Sequence, residues 1–201
     1  INIMKREIYA SDGKYMLFQI SDDDRDSYVE LHRQLSGEST LFLNPHCKDM
    51  MWEQVVGVNE DIVYSIYDNN GEYCGSIELQ NYDSDTPEIG IDLLEGKRNK
   101  GIAPEVVKLF ARRTYAERKV EYFLIRISSK NKHSKHVFEK MGVVFIGTTE
   151  SPFDVIMRNC KNVLEKMNSN ASVQDEFEKY ICIDSEKEVI YEYKLIPELF
   201  L

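Results

Sequence analysis

Glu88 and Asp92, a glycine-bearing basic loop and the start of a helix follow one another up to Glu105. The loop is Gly96-Lys97-Arg98-Asn99-Lys100-Gly101-Ile102-Ala103-Pro104-Glu105. Glycine lets backbone N–H groups turn toward one point with no Cβ in the way. Pro104 suits the first turn of a helix, where its missing N–H costs nothing. The free amides of that turn, with the positive end of the helix dipole, form an anion site, and Lys97, Arg98 and Lys100 add charge. A phosphate is the natural guest. The loop has no Lys-Ser/Thr pair after its second glycine, as a nucleoside-triphosphate loop needs. It also lacks the three glycines of the dinucleotide fingerprint.

The elements that position this loop can be read from periodicity. Before it, Ile89, Ile91 and Leu93 alternate with Glu88, Gly90 and Asp92, as in a half-buried strand. Glu88 and Asp92 then share one face of that strand. After it, Val106, Val107, Phe110, Ala111, Thr114 and Tyr115 recur at helical spacing. Tyr15 to Ile20 reads as a first strand. A helix follows, capped from Asp22 to Asp24, with Tyr28, Leu31 and Leu35 on its apolar face. Asn44-Pro45 opens a second helical stretch. Asp61 to Tyr67 and Glu72 to Leu79 form a hairpin about Asp68-Asn69-Asn70-Gly71, where Asn and Gly suit left-handed backbone. Tyr122 to Ile127 is a nearly continuous apolar run, consistent with a buried strand. Asn131 to Met141 reads as a short helix with Val137, Phe138 and Met141 inward, and Val143 to Thr148 as a strand. Residues 151–186 contain an amphipathic helix with Phe153, Ile156 and Met157 on its apolar side, then an acidic stretch. Glu188 to Leu195 reads as the final strand.

Two segments carry a family resemblance. Arg98-x-x-Gly101-x-Ala103 resembles the Q/R-x-x-G-x-G/A motif of the GNAT superfamily, the acetyl-CoA-dependent N-acetyltransferases. Asn131-x-x-Ser134-x-x-Val137-Phe138-x-Lys140-x-Gly142 resembles a signature of its ribosomal-protein N-acetyltransferase branch. Glu105 and Gly75-Ser76-Ile77 match further positions, and the resemblance covers residues 14–150 and a final strand near 188–195. It implies a single α/β (α+β) domain over 1–201: a mixed, mostly antiparallel central sheet flanked by helices, with 151–186 as a helical insertion before the last strand.

Acetyl transfer from a thioester to an amine needs a positioned thioester, a neutral amine, a stabilised oxyanion and a proton for the leaving thiolate. By the resemblance, backbone groups near Leu93 hold the pantetheine arm. The N–H groups of Arg98, Asn99, Lys100, Gly101, Ile102 and Ala103 take the pyrophosphate, and Asn131 and Ser134 bind the far side of the coenzyme. A helix cap is the competing role for Asn131, and an exposed helical position the competing role for Ser134. Glu88 or Asp92 could take the amine proton, directly or through water; a solvated strand start and a structural hydrogen bond are their alternatives. Many relatives place a tyrosine acid where this chain has Phe138, so water, Tyr191, Tyr193 or no acid must serve. His133 and His136 stand three apart with no supporting ligand, and no metal is expected.

Charge and composition narrow the partners. The net charge is −10, yet residues 97–136 hold twelve Lys/Arg against three Asp/Glu, leaving −19 on the remainder. A basic segment inside an acidic chain fits a local anion site and opposes a nucleic-acid surface, although most of those side chains would simply solvate a helix face. The acidic remainder could attract a cationic acceptor. No apolar run approaches the roughly 20 residues that span a bilayer, and no signal peptide is evident at the start. Cys47, Cys74, Cys160 and Cys182 form no C-x-x-C pair, which fits reduced thiols in a cytoplasmic protein. The expected partners are acetyl-CoA and an amine acceptor, a protein N-terminus or a small molecule, with neither nucleic acid nor membrane, in a monomer or homodimer. A non-catalytic acyl-CoA-binding sensor or partner subunit is the competing reading.

Overall fold

The computed structural model describes residues 6–37, 44–58, 62–152, 154–156, 158–159 and 188–200. Among these are eight strands and four α-helices: β1 (Ile8–Ser11), β2 (Tyr15–Gln19), α1 (Arg25–Leu35), α2 (Pro45–Val58), β3 (Val63–Asp68), β4 (Tyr73–Gln80), β5 (Glu88–Leu93), α3 (Ile102–Glu117), β6 (Phe123–Ser128), α4 (Lys132–Lys140), β7 (Val144–Glu150) and β8 (Val189–Leu195). The chain divides into two compact units, Ile1–Ile125 with Leu195–Leu201, and Arg126–Lys194.

In the first unit the hydrogen-bonded order is β1-β2-β3-β4-β5-β6. Antiparallel pairing joins β1 through β5, while β5 meets β6 in parallel, with Glu88 opposite Leu124. The sheet is mixed and mostly antiparallel. Pleating sends alternate side chains to opposite faces. Ile20 and Val63 pack with Tyr28 of α1 and with Trp52 and Val55 of α2. On the other face Tyr64 stacks on Tyr9 at 4.1 Å and meets Phe110 of α3 at 5.5 Å. Val106, Val107, Phe110 and Ala111 of α3 are fully buried, as their spacing predicts; Tyr115 is only half-buried, and its hydroxyl donates to Glu198 at 2.6 Å.

The hairpin forms where expected. The Asp68 carboxylate accepts the N–H groups of Asn70 and Glu72, both at 3.0 Å, and Gly71 takes the left-handed conformation, φ 77°. On β4 an extra residue, Cys74, interrupts the register with β3 between Tyr67↔Tyr73 and Ile66↔Gly75. Gly75 follows this bulge, and a Cβ there would lie 2.0 Å from the Asp92 carbonyl oxygen. A side chain at this position is incompatible with the β4–β5 approach, a physical reason for the glycine of Gly75-Ser76-Ile77.

Three readings need correction. Strand β1 was not expected: it is a four-residue edge with Ala10 alone fully buried. Asp24 does more than cap. It lies in a short 3-10 turn, Asp22–Asp24, is 0% exposed, and accepts Arg6 through both oxygens at 2.9 and 2.8 Å, the Tyr67 hydroxyl at 2.6 Å and the Ser21 N–H at 3.0 Å. Strand β6 is not buried on both sides, because Phe123, Ile125 and Ile127 are buried while Arg126 is exposed.

In the second unit the order is β6-β8-β7, with β7 and β8 antiparallel. Phe138 and Met141 are buried, and Val137 is half-buried. Val144, Phe145 and Ile146 on β7 are exposed. Of the expected 151–186 insertion, residues 152, 154–156 and 158–159 are helical. Phe153, Met157 and the acidic stretch lie outside the described residues, as do Cys160 and Cys182. Cys47 and Cys74 are free thiols.

Candidate active site

The loop after β5 is built from backbone geometry. A 3-10 turn, Glu95–Lys97, closes as the N–H groups of Lys97 and Arg98 donate to Leu94 O and Glu95 O at 2.8 and 3.2 Å. Asn99 then takes φ 61° and Gly101 φ 76°, both left-handed. Gly101 is the N-cap of α3, and no side chain caps that helix. The amides of its first turn, Ile102 and Ala103 among them, therefore lack both intrahelical acceptors and a side-chain cap. A Cβ on Gly101 would meet nothing within 4 Å. This geometry suits a phosphate.

The basic side chains behave less uniformly. The Lys97 ammonium is already paired: it binds Asp68 at 2.9 Å and Glu72 at 2.6 Å in the hairpin turn, and these bonds hold its pKa above the ordinary lysine value. The Arg98 Nε donates to the Leu93 carbonyl at 3.0 Å. The motif arginine thus ties the loop to the strand end and uses the Leu93 carbonyl. Leu94 N–H donates back to Cys74 O at 3.0 Å, so by alternation Leu93 N–H points away from β4. Lys100 has no ion-pair partner among the described residues. It lines an open cleft of about 260 Å³ together with the Lys97–Asp68 pair, Lys14, Tyr15, Asn69 and Ile102. Other basic residues of 97–136 are also engaged: Arg113 with Glu117, Arg118 with the carbonyls of Tyr82 and Ser84, Arg126 with Glu192.

The carboxylates lie on the sheet face under α1. Gln80, Glu78 and Ser76 of β4 stand opposite Glu88, Gly90 and Asp92 of β5. Paired residues share a face, and the Tyr28 hydroxyl of α1 lies in the field of both Glu78 and Asp92. Glu88 is 8% exposed. Burial pushes the Asp92 carboxyl above the ordinary aspartate range, against the opposing pull of Arg98. Burial also lowers the His32 imidazole, opposed by Glu78. The sequence reading missed Glu78, His32 and Tyr28, whose place here depends on strand register and on α1 crossing β4.

In the second unit, Asn131 caps α4: its side-chain carbonyl accepts the Ser134 N–H at 3.0 Å. Ser134 is half-buried on the same turn. Phe138 is buried and has no proton to give. The Tyr193 hydroxyl donates to Glu139 at 3.4 Å, and burial, then Glu139, raise its pKa. The Lys135 ammonium lies over the Tyr191 ring, 4.5 Å from its centre. Among the described residues no group of three or more His, Cys, Asp or Glu could hold a metal, and no helix is long and apolar enough to cross a membrane.

Comparison with known proteins places these features in a lineage. Residues 14–144 match the family model described as Acetyltransferase (GNAT) domain. No curated protein sequence matches the chain. Among solved structures, a spermidine N-acetyltransferase from Vibrio cholerae in complex with CoA and spermine is similar in fold, with TM-score 0.65 and 13% identity over 94% of this chain and 99% of that one. A dodecameric structure of spermidine N-acetyltransferase from Vibrio cholerae gives TM-score 0.63 and 14% identity over 94% and 98%. A provisionally assigned phosphinothricin N-acetyltransferase gives TM-score 0.59 and 17% identity over 90% and 98%. These identities speak for fold alone, and the acceptors named differ.

Proposed function

The chain belongs to the GNAT acetyltransferases, and from that premise we propose that it moves the acetyl group of acetyl-CoA to the primary amine of a cationic acceptor by direct attack. The observation that carries this reading is Asp92. It is a half-buried carboxyl with a raised pKa on the strand that runs into an uncapped helix N-terminus. A carboxylate base works best when its pKa lies near the operating pH. Glu88, on the same face, is the second candidate base.

In the proposed step the neutral amine nitrogen attacks the thioester carbon and its proton passes to Asp92, directly or through water. The tetrahedral oxyanion collapses, the C–S bond breaks and coenzyme A leaves as thiolate. Leu93 N–H, on the β5 edge away from β4, would polarise the carbonyl. The turn from Arg98 through Asn99, Lys100 and Gly101 to Ile102 and Ala103 would take the pyrophosphate. Because Arg98 N–H and Nε already serve the loop, the later amides bear most of that contact. Asn131 and Ser134 are proposed as further coenzyme contacts on their motif. Asn131 retains its side-chain NH₂ while its oxygen caps α4. Phe138 requires no special remedy: a cysteine-like thiol has a pKa of about 8.5, so the thiolate leaves readily and can take its proton from water.

The test is thiol release from acetyl-CoA across a panel of amines and N-terminal peptides, with calorimetric binding of coenzyme A. Release with at least one amine, lost in Asp92→Asn while coenzyme binding persists, supports the reading. Phe138 favours a second reading, an acyl-CoA-binding protein without turnover; binding with no release across the panel would support that instead.

A further inference from the structure

Glu78 has a position that the base assignment leaves unused. It stands on β4 opposite Gly90, with Glu88 two residues before and Asp92 two residues after that glycine on the same face. Its side chain lies over Gly90: a Cβ there would come within 2.9 Å of Glu78 Oε1 and 3.0 Å of its Cγ. The three carboxylates therefore form a row along β5, its ends two strand steps either side of the middle, about 7 Å each way. Gln80 donates to Glu78, and neither Glu78 nor Asp92 has an ion-pair partner among the described residues.

Further polar groups on this face lack hydrogen-bond partners among the described residues. Tyr73 is 8% exposed, and its hydroxyl, beside Ser76, has no hydrogen-bond partner among the described residues. Ser76 is the residue paired with Asp92. Ser65, fully buried and paired with Ser76, has an unpartnered hydroxyl as well. On the α1 side, the buried His32 Nε2 is unpartnered, and the ring lies within the field of Glu78.

Resting on the acetyltransferase reading, we propose that the acceptor is a linear amine carrying a second ammonium group, and that Glu78 is the specificity-determining residue that binds it. With the reacting nitrogen at Asp92, a spacer of three or four carbons brings the next ammonium over Gly90, onto the Glu78 carboxylate. Glu88 continues the row for a longer polyamine. Gly90 is needed because any side chain there would push the Glu78 carboxylate aside.

The experiment compares spermidine and 1,4-diaminobutane with butylamine as acceptors for wild type, Glu78→Gln and Gly90→Ala, with calorimetric binding of spermidine in parallel. Wild type should favour the diamine over butylamine at least tenfold in kcat/KM. Glu78→Gln should erase that preference through KM, leaving kcat and butylamine turnover nearly unchanged, and Gly90→Ala should reproduce the effect by displacement. Spermidine binding should weaken tenfold or more in both variants. Equal losses for diamine and butylamine in Glu78→Gln would overturn the proposal, as would no diamine preference in the wild type. Acetylation of butylamine without spermidine binding would also overturn it, yet leave the acetyltransferase reading standing. Spermidine binding that depends on Glu78, with no acetylation of any amine, would support the cation site and sink the acetyltransferase reading.

Discussion

Burial raises the pKa of Asp92, because its surroundings disfavour the charged form. The sign follows by linkage. A carboxyl whose folded pKa exceeds its unfolded value contributes stability below the unfolded pKa, and that contribution is lost as pH rises through the folded one. Asp92→Asn should therefore raise the thermal midpoint at pH 7 while lowering turnover by about 10²- to 10⁴-fold, the usual range for a general base. Differential scanning calorimetry beside steady-state kinetics checks both. A fall in both quantities would make Asp92 a structural residue. The acidic limb of kcat/KM should also lie above the ordinary aspartate range and vanish in the variant. Arg98 shows a limit of motif reading at this scale. Its place in Arg98-x-x-Gly101-x-Ala103 suggested an anion ligand, and its Nε additionally donates to the Leu93 carbonyl. That bond depends on how the loop closes, which residue types alone do not reveal.

Among the elements, β4 sets the site. Its bulge at Cys74 and the glycine that follows hold β5 close, and Ser76, Glu78 and Gln80 then face the carboxylates. Gly75→Ala would place a methyl 2.0 Å from Asp92 O, so it should cost at least about 1–3 kcal/mol and flatten the thermal transition or abolish folding. Gly101→Ala differs, since nothing lies within 4 Å and only its left-handed backbone is at stake. It should cost about 1–2 kcal/mol and weaken coenzyme A binding, as denaturant titration and calorimetry would show. Lys97→Ala removes a hairpin tie and should cost no more than about 1 kcal/mol, with coenzyme binding nearly intact.

Sequence pattern was enough to find β2 through β8 and the loop, because the strands carry apolar residues in alternation or in short runs and the turns their Gly, Asn or Pro. Edge strand β1 escaped, since one buried alanine makes no alternation. Glu78 escaped because its role depends on register across β4 and β5. Asp24 escaped because Arg6 and Tyr67 reach it from distant parts of the chain.

At the scale of the whole molecule, charge is divided. The net −10 favours approach of a cationic acceptor, while the local excess of Lys and Arg is largely consumed by helix and loop partners. Steering by such a field weakens as salt shortens the Debye length from about 10 Å at 0.1 M to about 3 Å at 1 M. The kcat/KM for a cationic amine should fall as potassium chloride rises over that range, whereas that for a neutral-bodied N-terminal peptide should change less. An unchanged ratio would remove the acidic surface from the account.

The most direct measurement is thiol release from acetyl-CoA with an amine panel, wild type against Asp92→Asn, with coenzyme A affinity taken on both proteins. The account predicts release with a cationic primary amine, loss of that release in the variant, and equal coenzyme affinity. Absence of coenzyme binding, or release that Asp92→Asn leaves untouched, would contradict it.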